Sequence, residues 1–189
     1  MASAKSILKQ SIPVFTLCSV GGVAAGLILE ALKEDLSLIP GILILLPAIL
    51  GMRGNISGAL GSRLASALHL GLLEPKLRWN QTLSDNLKAS LLLNTMMAFL
   101  SGILAYYVYS ISGYSEHAPA SIIHLTLISI IAGTLAGILL SVLTVYIAIF
   151  TYSKGLDPDN VLAPSLATIG DILTVLCLLF SIKLVLWVF

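Results

Sequence analysis

Charge is what this chain has least of. Lys, Arg, Asp and Glu together make up 10% of its 189 residues, against 58% hydrophobic, and the mean hydropathy is +1.03. A soluble domain of this length is never so poor in charge, so the composition dictates an integral membrane protein. Ten basic and nine acidic residues leave a formal net charge of +1, and no basic patch is interleaved with aromatics, which argues against nucleic acid as a partner. Cysteine is nearly absent. Cys18 and Cys177 both lie inside apolar runs, where a thiol packs as a small hydrophobe, so neither a disulfide nor a zinc site is expected.

What the chain has instead is long apolar runs, and the last of them, Val161 to Phe189, carries one carboxylate near its middle, Asp171. At a helical rise of about 1.5 Å per residue, Asp171 lies roughly 15 Å from Val161, half the depth of a hydrocarbon core about 30 Å thick. An aspartate there costs about 2.5 to 3.5 kcal/mol even on lenient insertion scales, so it must face protein, water or a cation. Pro164, Ala167, Thr168, Asp171, Thr174 and Val175 recur at spacings of three and four, a small and polar stripe on an otherwise bulky helix.

Four further spans precede it. Lys5 and Lys9 introduce the first, Ile12 to about Leu32, which is longer than a signal-peptide core and shows no clear cleavage site before Lys33-Glu34-Asp35, so it is expected to be retained. Within it Gly22 and Gly26 form a small-xxx-small pair suited to close helix approach. The second span, residues 38–72, is too long for one upright crossing and is interrupted by Pro47 and by Gly51-Met52-Arg53-Gly54-Asn55. Proline removes a backbone hydrogen bond, and carbonyls around Ala48 to Gly54 released by a break would suit a cation. A proline-kinked packing helix with Asn55 bonding to a neighbour fits the stretch equally well. Gly54, Gly58 and Gly61 offer a flat face for packing, and Arg63 and His69 approach the far interface.

Glu74 to Asn86 is a polar segment for the membrane surface, followed by spans at 87–111 and 122–150 around a Ser112–Ser121 loop. Gly133 and Gly137 repeat the small-xxx-small spacing. Asn94 and His124 read as local hydrogen-bonding residues and His117 as a solvated one. Asp157 suits an N-cap and Pro158 a first helical position, while Pro164 permits a bend one to two turns later; for Asp157 and Asp159 capping and solvation are favoured over cation binding. With the N-terminus cytoplasmic, Lys5, Lys9, Arg63, Lys76, Arg78, Lys88 and Lys154 fall inside and Lys33 outside, a bias that places the C-terminus outside. The expected fold is one all-α membrane domain over residues 1–189 with five transmembrane helices, the second and fifth broken or kinked and lining an ion path.

Two stretches resemble a known family. Residues 46–71 (LPAILGMRGNISGALGSRLASALHLG) and 155–181 (GLDPDNVLAPSLATIGDILTVLCLLFS) are similar to those of the MgtE magnesium channels and the related solute carrier family 41 transporters. The second stretch carries the D-P-D-N turn, the proline and the G-D-hydrophobic-hydrophobic-T pattern of family 41. The resemblance implies a five-helix unit that pairs with a second copy, with divalent cations passing along the interface. It assigns Asp171 to the permeating ion, Gly51, Gly54 and Asn55 to the pore, and Ala167 to the backbone bordering the ion. No internal repeat is visible, so a homodimer in the cell membrane is expected. No stretch resembles the cytoplasmic domains that sense magnesium in MgtE, and Arg53 resembles the basic residue of the family-41 variant G-x-K-G-N.

The chemistry suits a hydrated Mg2+, which dehydrates reluctantly and takes few direct ligands. One carboxylate per copy, backbone carbonyls, the Asn55 amide and the Thr168 hydroxyl would serve, with two Asp171 side chains balancing one divalent charge. Soft transition metals are disfavoured because no Cys, His or Met pair converges at that depth, whereas Mn2+ and Co2+ stay open. No cofactor or catalytic residue is expected. Three other readings remain: a Na+- or H+-coupled exchanger, a non-conducting assembly subunit with Asp171 and Arg53 as a structural pair, and, least supported, a membrane enzyme holding a metal on Asp157 and Asp159.

Overall fold

The computed structural model describes residues 4–31, 33–34, 39–112 and 121–188. Among these residues the protein is all helical, with α1 over Ala4–Ala31, α2 over Ile42–His69, α3 over Gln81–Ile111, α4 over Ile122–Ser153 and α5 over Pro158–Val188. Each of the five is long and apolar enough to cross a membrane. The expected start of the second span at Leu38, the solvated His117 and the end of the fifth span at Phe189 lie outside the described residues.

Several helix ends follow from local chemistry. The Asn80 side chain accepts from the Leu83 amide at 2.8 Å, an N-cap that starts α3 at Gln81, six residues before the expected Leu87. α2 and α4 end alike. Gly71 and Gly155 adopt φ of 71° and 70°, and in each case two backbone amides turn back onto the last turn: Leu72 to Ala67 and Gly71 to Leu68, then Leu156 to Thr151 and Gly155 to Tyr152. This is the glycine-closed helix terminus that satisfies the last carbonyls. Pro158 is the first residue of α5, as its missing N–H allows.

The interruption expected in the second span is not an unwinding. α2 runs as one helix through Pro47 and residues 51–54, and α5 likewise runs through Pro164. A proline costs one hydrogen bond, but opening several more backbone groups within a membrane would cost far more, so the helix closes around the defect.

α2 and α4 are the shared centre of the packing, touching each other and both α3 and α5, whereas among the described residues α1 touches α5 alone. None of the described side chains of α1 is buried. The α3–α4 seam is built on small residues. A Cβ placed on Gly133 would lie 2.6 Å from the Ala98 Cβ, one on Gly137 2.8 Å from the Asn94 Cγ, and one on Gly102 2.6 Å from the Thr126 Cα. The Ser129 hydroxyl donates across the same seam to the Ala98 carbonyl at 2.5 Å. The Gly133/Gly137 pair therefore does what its spacing predicts. Gly22 and Gly26 do not, since nothing lies within 4 Å of a Cβ on either; Gly21 is the α1 glycine that meets α5, where a Cβ would collide with the Thr168 Cγ2.

Two apolar clusters fill the bundle, one including Ile42, Leu45, Ile49, Leu125, Ile128 and Leu178, the other Leu60, Leu64, Leu68, Val145, Leu162 and Leu166. Between them lies a buried polar belt containing Arg53, Ser57, Asn94, Ser141 and Thr144. At the second cluster's end Arg63 ties α2 to α3, donating to Asn86 Oδ1 at 2.8 Å and Ser90 Oγ at 3.0 Å.

Because Gly133 has no room for a side chain, Gly133→Leu should destabilise the detergent-solubilised protein by about 1–3 kcal/mol. Gly26→Leu, which meets open space, should leave its thermal unfolding midpoint unchanged. An equal shift in both would contradict the packing described.

Candidate cation site

Asp171 is the fourteenth of the 31 residues of α5, and Arg53 the twelfth of the 28 of α2. At the helical rise, each lies roughly 15 to 20 Å from its helix start, deep within the bilayer. The fold brings the two together. Arg53 Nη2 donates to Asp171 Oδ1, and Nη1 donates to the Leu166 carbonyl at 3.2 Å. Arg53 Nε has no partner among the described residues.

The pair is asymmetric. The Arg53 side chain is 2% exposed, whereas Asp171 keeps 45% of its side chain exposed despite its depth. Gly170 is what makes this seating feasible. A Cβ there would fall 1.9 Å from Arg53 Nη1 and 3.3 Å from Leu140 Cδ2, so any larger residue would expel the guanidinium. Leu166 was not singled out in the sequence, and Gly170 entered only as the glycine of the G-D-hydrophobic-hydrophobic-T pattern, without a packing role; a glycine beside a lone intramembrane carboxylate is the signal for that role.

The remaining site residues divide. Ala167, Gly51, Gly54 and Asn55 are all exposed. A Cβ on Gly51, Gly54 or Gly58 would meet nothing within 4 Å, so the flat face expected for packing points out of the chain, and only Gly61 packs inward, against Leu162 and Thr144. Thr168 faces α1: its hydroxyl lies 3.2 Å from the Cys18 carbonyl and 3.3 Å from that of Pro164. Thr174 and Val175 are buried. The polar stripe of α5 thus serves three surroundings, because residues three and four apart drift around a helix buried on more than one side.

Other residues take the local roles their positions suggest. Asn94 is buried and donates to the Ser90 carbonyl at 2.9 Å. His69 Nδ1 lies 2.8 Å from the Ala65 carbonyl, and its ring stands edge-on to Tyr152. Cys18 and Cys177 are free thiols. Asp157 precedes α5, and the side chain of Asp159 lies outside the described residues.

The profile of MgtE, described as a divalent cation transporter, matches residues 46–181, which include the whole Arg53–Asp171 arrangement. The chain belongs to the MgtE family of divalent cation transporters. Solute carrier family 41 member 2 of Homo sapiens is 30% identical over 171 residues, covering 87% of this chain and 29% of that protein. The Gallus gallus member 2 is 29% identical over the same shares, and member 3 of Rattus norvegicus is 26% identical over 166 residues, 87% of this chain and 36% of its own. The chain therefore spans about a third of the length of these curated relatives. No solved structure matches it.

As an MgtE-family protein with five membrane-length helices, the chain is a multi-pass membrane protein. Among the described residues no three His, Cys, Asp or Glu side chains converge. The Asp171 carboxylate is already engaged by Arg53, so any charge balance at it has to include the guanidinium.

Gly170→Ala should destabilise the protein by about 1–3 kcal/mol through overpacking against Arg53. Adding Arg53→Met should relieve that clash, so the double-mutant cycle by thermal unfolding should be clearly non-additive. Additive effects would separate Gly170 from the guanidinium.

Proposed function

We propose that the chain forms half of a Mg2+ pathway at the interface of two copies, with Asp171 as the mid-membrane cation-binding carboxylate. The observation that carries this reading is the outward face of α2. Where α3, α4 and α5 are exposed they present mostly large side chains such as Leu92, Phe99, Val142 and Phe180, as a lipid-facing surface should, and α1 sets Phe15, Leu17, Val20 and Leu27 among its exposed Gly22, Ala24 and Gly26. α2 exposes Ala48, Gly51, Gly54, Asn55, Ala59 and Ser62 instead, and its one large exposed hydrophobic side chain is Leu43, near its start. Small residues let backbones approach closely without a hydrophobic driving force, which suits contact with another helix and not with lipid chains.

Asp171 belongs to this reading because a carboxylate with 45% of its side chain exposed at mid-span would otherwise meet hydrocarbon. Across a two-copy interface the exposed carboxylates and the Asn55 amide would offer oxygens to a Mg2+ that keeps most of its water, and the small residues Gly51, Gly54 and Ala167 would leave room for the hydrated ion. Thr168, bonded to α1, is assigned to holding α1 in place. The N-terminus is taken as cytoplasmic and the C-terminus as external from the distribution of basic residues.

The Arg53–Asp171 pair also favours a second reading, a non-conducting assembly subunit in which the two charges are purely structural. Replacing both with size-matched neutral residues tests it, since a structural pair can be removed with function kept.

Asp171→Asn should reduce divalent uptake into proteoliposomes by at least about tenfold, while the two-copy assembly remains intact by cross-linking. Unchanged flux in that variant sinks the assignment of Asp171. Running wild type with and without a Na+ gradient separates a passive pathway, indifferent to Na+, from a coupled exchanger; an imposed pH gradient does the same for H+.

A further inference from the structure

Reading Asp171 as the cation ligand leaves Arg53 unexplained. A guanidinium cannot be deprotonated in a protein, so it remains a positive charge on the very carboxylate that a divalent cation would use. It is also seated inside the protein. Arg53 is 2% exposed, its Nη1 is held by the Leu166 carbonyl, and it fills the notch left by Gly170. The free part of Asp171, by contrast, is on the exposed side.

We infer that Arg53 is a built-in counter-cation that sets the affinity of the Asp171 site, weakening divalent binding so that the ion is released as readily as it enters. The inference rests on the proposed role of Asp171. In a pair of copies, two carboxylates and two guanidinium groups sum to zero, so an arriving divalent cation gains only the difference between attraction to Asp171 and repulsion from Arg53. Conduction needs binding that is favourable enough to enter and weak enough to leave, and the charge count of a site tunes its affinity for hard cations. Partial neutralisation also favours an ion that keeps its water, since a carboxylate shared with a guanidinium competes poorly with hydration. Arg53 acts through Asp171 and need not touch the ion, which makes it an affinity-setting, positioning residue.

The test is Mg2+ titration of wild type, Arg53→Gln, Arg53→Met, Arg53→Lys and Asp171→Asn, read by flux in proteoliposomes and by Mg2+-dependent thermal stabilisation of the purified protein. Removing the charge should lower the half-saturating Mg2+ concentration at least about tenfold in both readouts, and the maximal flux should fall because release is slower. Arg53→Lys, which keeps a cation, should stay near wild type. Wild type itself should bind weakly, in the millimolar range expected of a site with little net charge. Half-saturation unchanged or raised in Arg53→Gln, from protein that elutes as folded, overturns the inference, as does micromolar binding by wild type, which needs no variant to fold. Asp171→Asn should lose both flux and stabilisation. If it keeps them, the fault lies with the Asp171 assignment and not with Arg53 alone.

Discussion

Arg53 and Asp171 each sit about half-way along a membrane-length helix, and each charge offsets part of the cost of placing the other there. Much of the bundle can be derived from that constraint. α2 must lie against α5 in the register that lets a guanidinium reach the carboxylate, and Gly170 must be bare so that the side chain can pass. The apolar clusters then fall on either side of the pair, with a belt of Ser, Thr and Asn side chains between them. Buried ion pairs seldom add net stability, because desolvation offsets most of the Coulomb gain. A pair kept at this depth is better explained by fixing the α2–α5 register and by the half of Asp171 left exposed.

The outward faces carry the second constraint. Lipid chains solvate Leu, Val and Phe as well as a protein core does, so exposed bulky side chains on α1, α3, α4 and α5 need no partner. A helix face of Gly, Ala, Ser and Asn gains little from lipid and much from another helix. α2 presents such a face, and Ala167 and the open side of Asp171 are exposed on the neighbouring α5. On the proposed reading, ion ligands and the contact surface for a second copy coincide, which is the economy expected when one chain supplies a single carboxylate.

Much of this was legible in the sequence, for identifiable reasons. The five spans follow from apolar run length, and Asp171 stands out because a lone carboxylate at mid-span has to be accounted for. The Gly133/Gly137 seam was legible because both glycines meet α3 directly. Gly22 and Gly26 have the same spacing and meet nothing, since spacing fixes which residues share a face but not what that face touches. A helix running through Pro47 was one of two readings left open, because local rules count the lost hydrogen bond but not the membrane's penalty for losing more. The contact of Arg53 with Asp171, 118 positions apart, was named only within the assembly-subunit reading, because the tertiary register of α2 on α5 that makes it is encoded by no local pattern.

Whether a divalent cation sits against Asp171 between two copies of the chain can be seen by locating Mn2+ through its anomalous scattering in crystals of the membrane-embedded protein. One peak on a two-fold axis, bordered by Asp171 from both copies, is the predicted result. A peak elsewhere, or two separate peaks each enclosed by one chain, would contradict it.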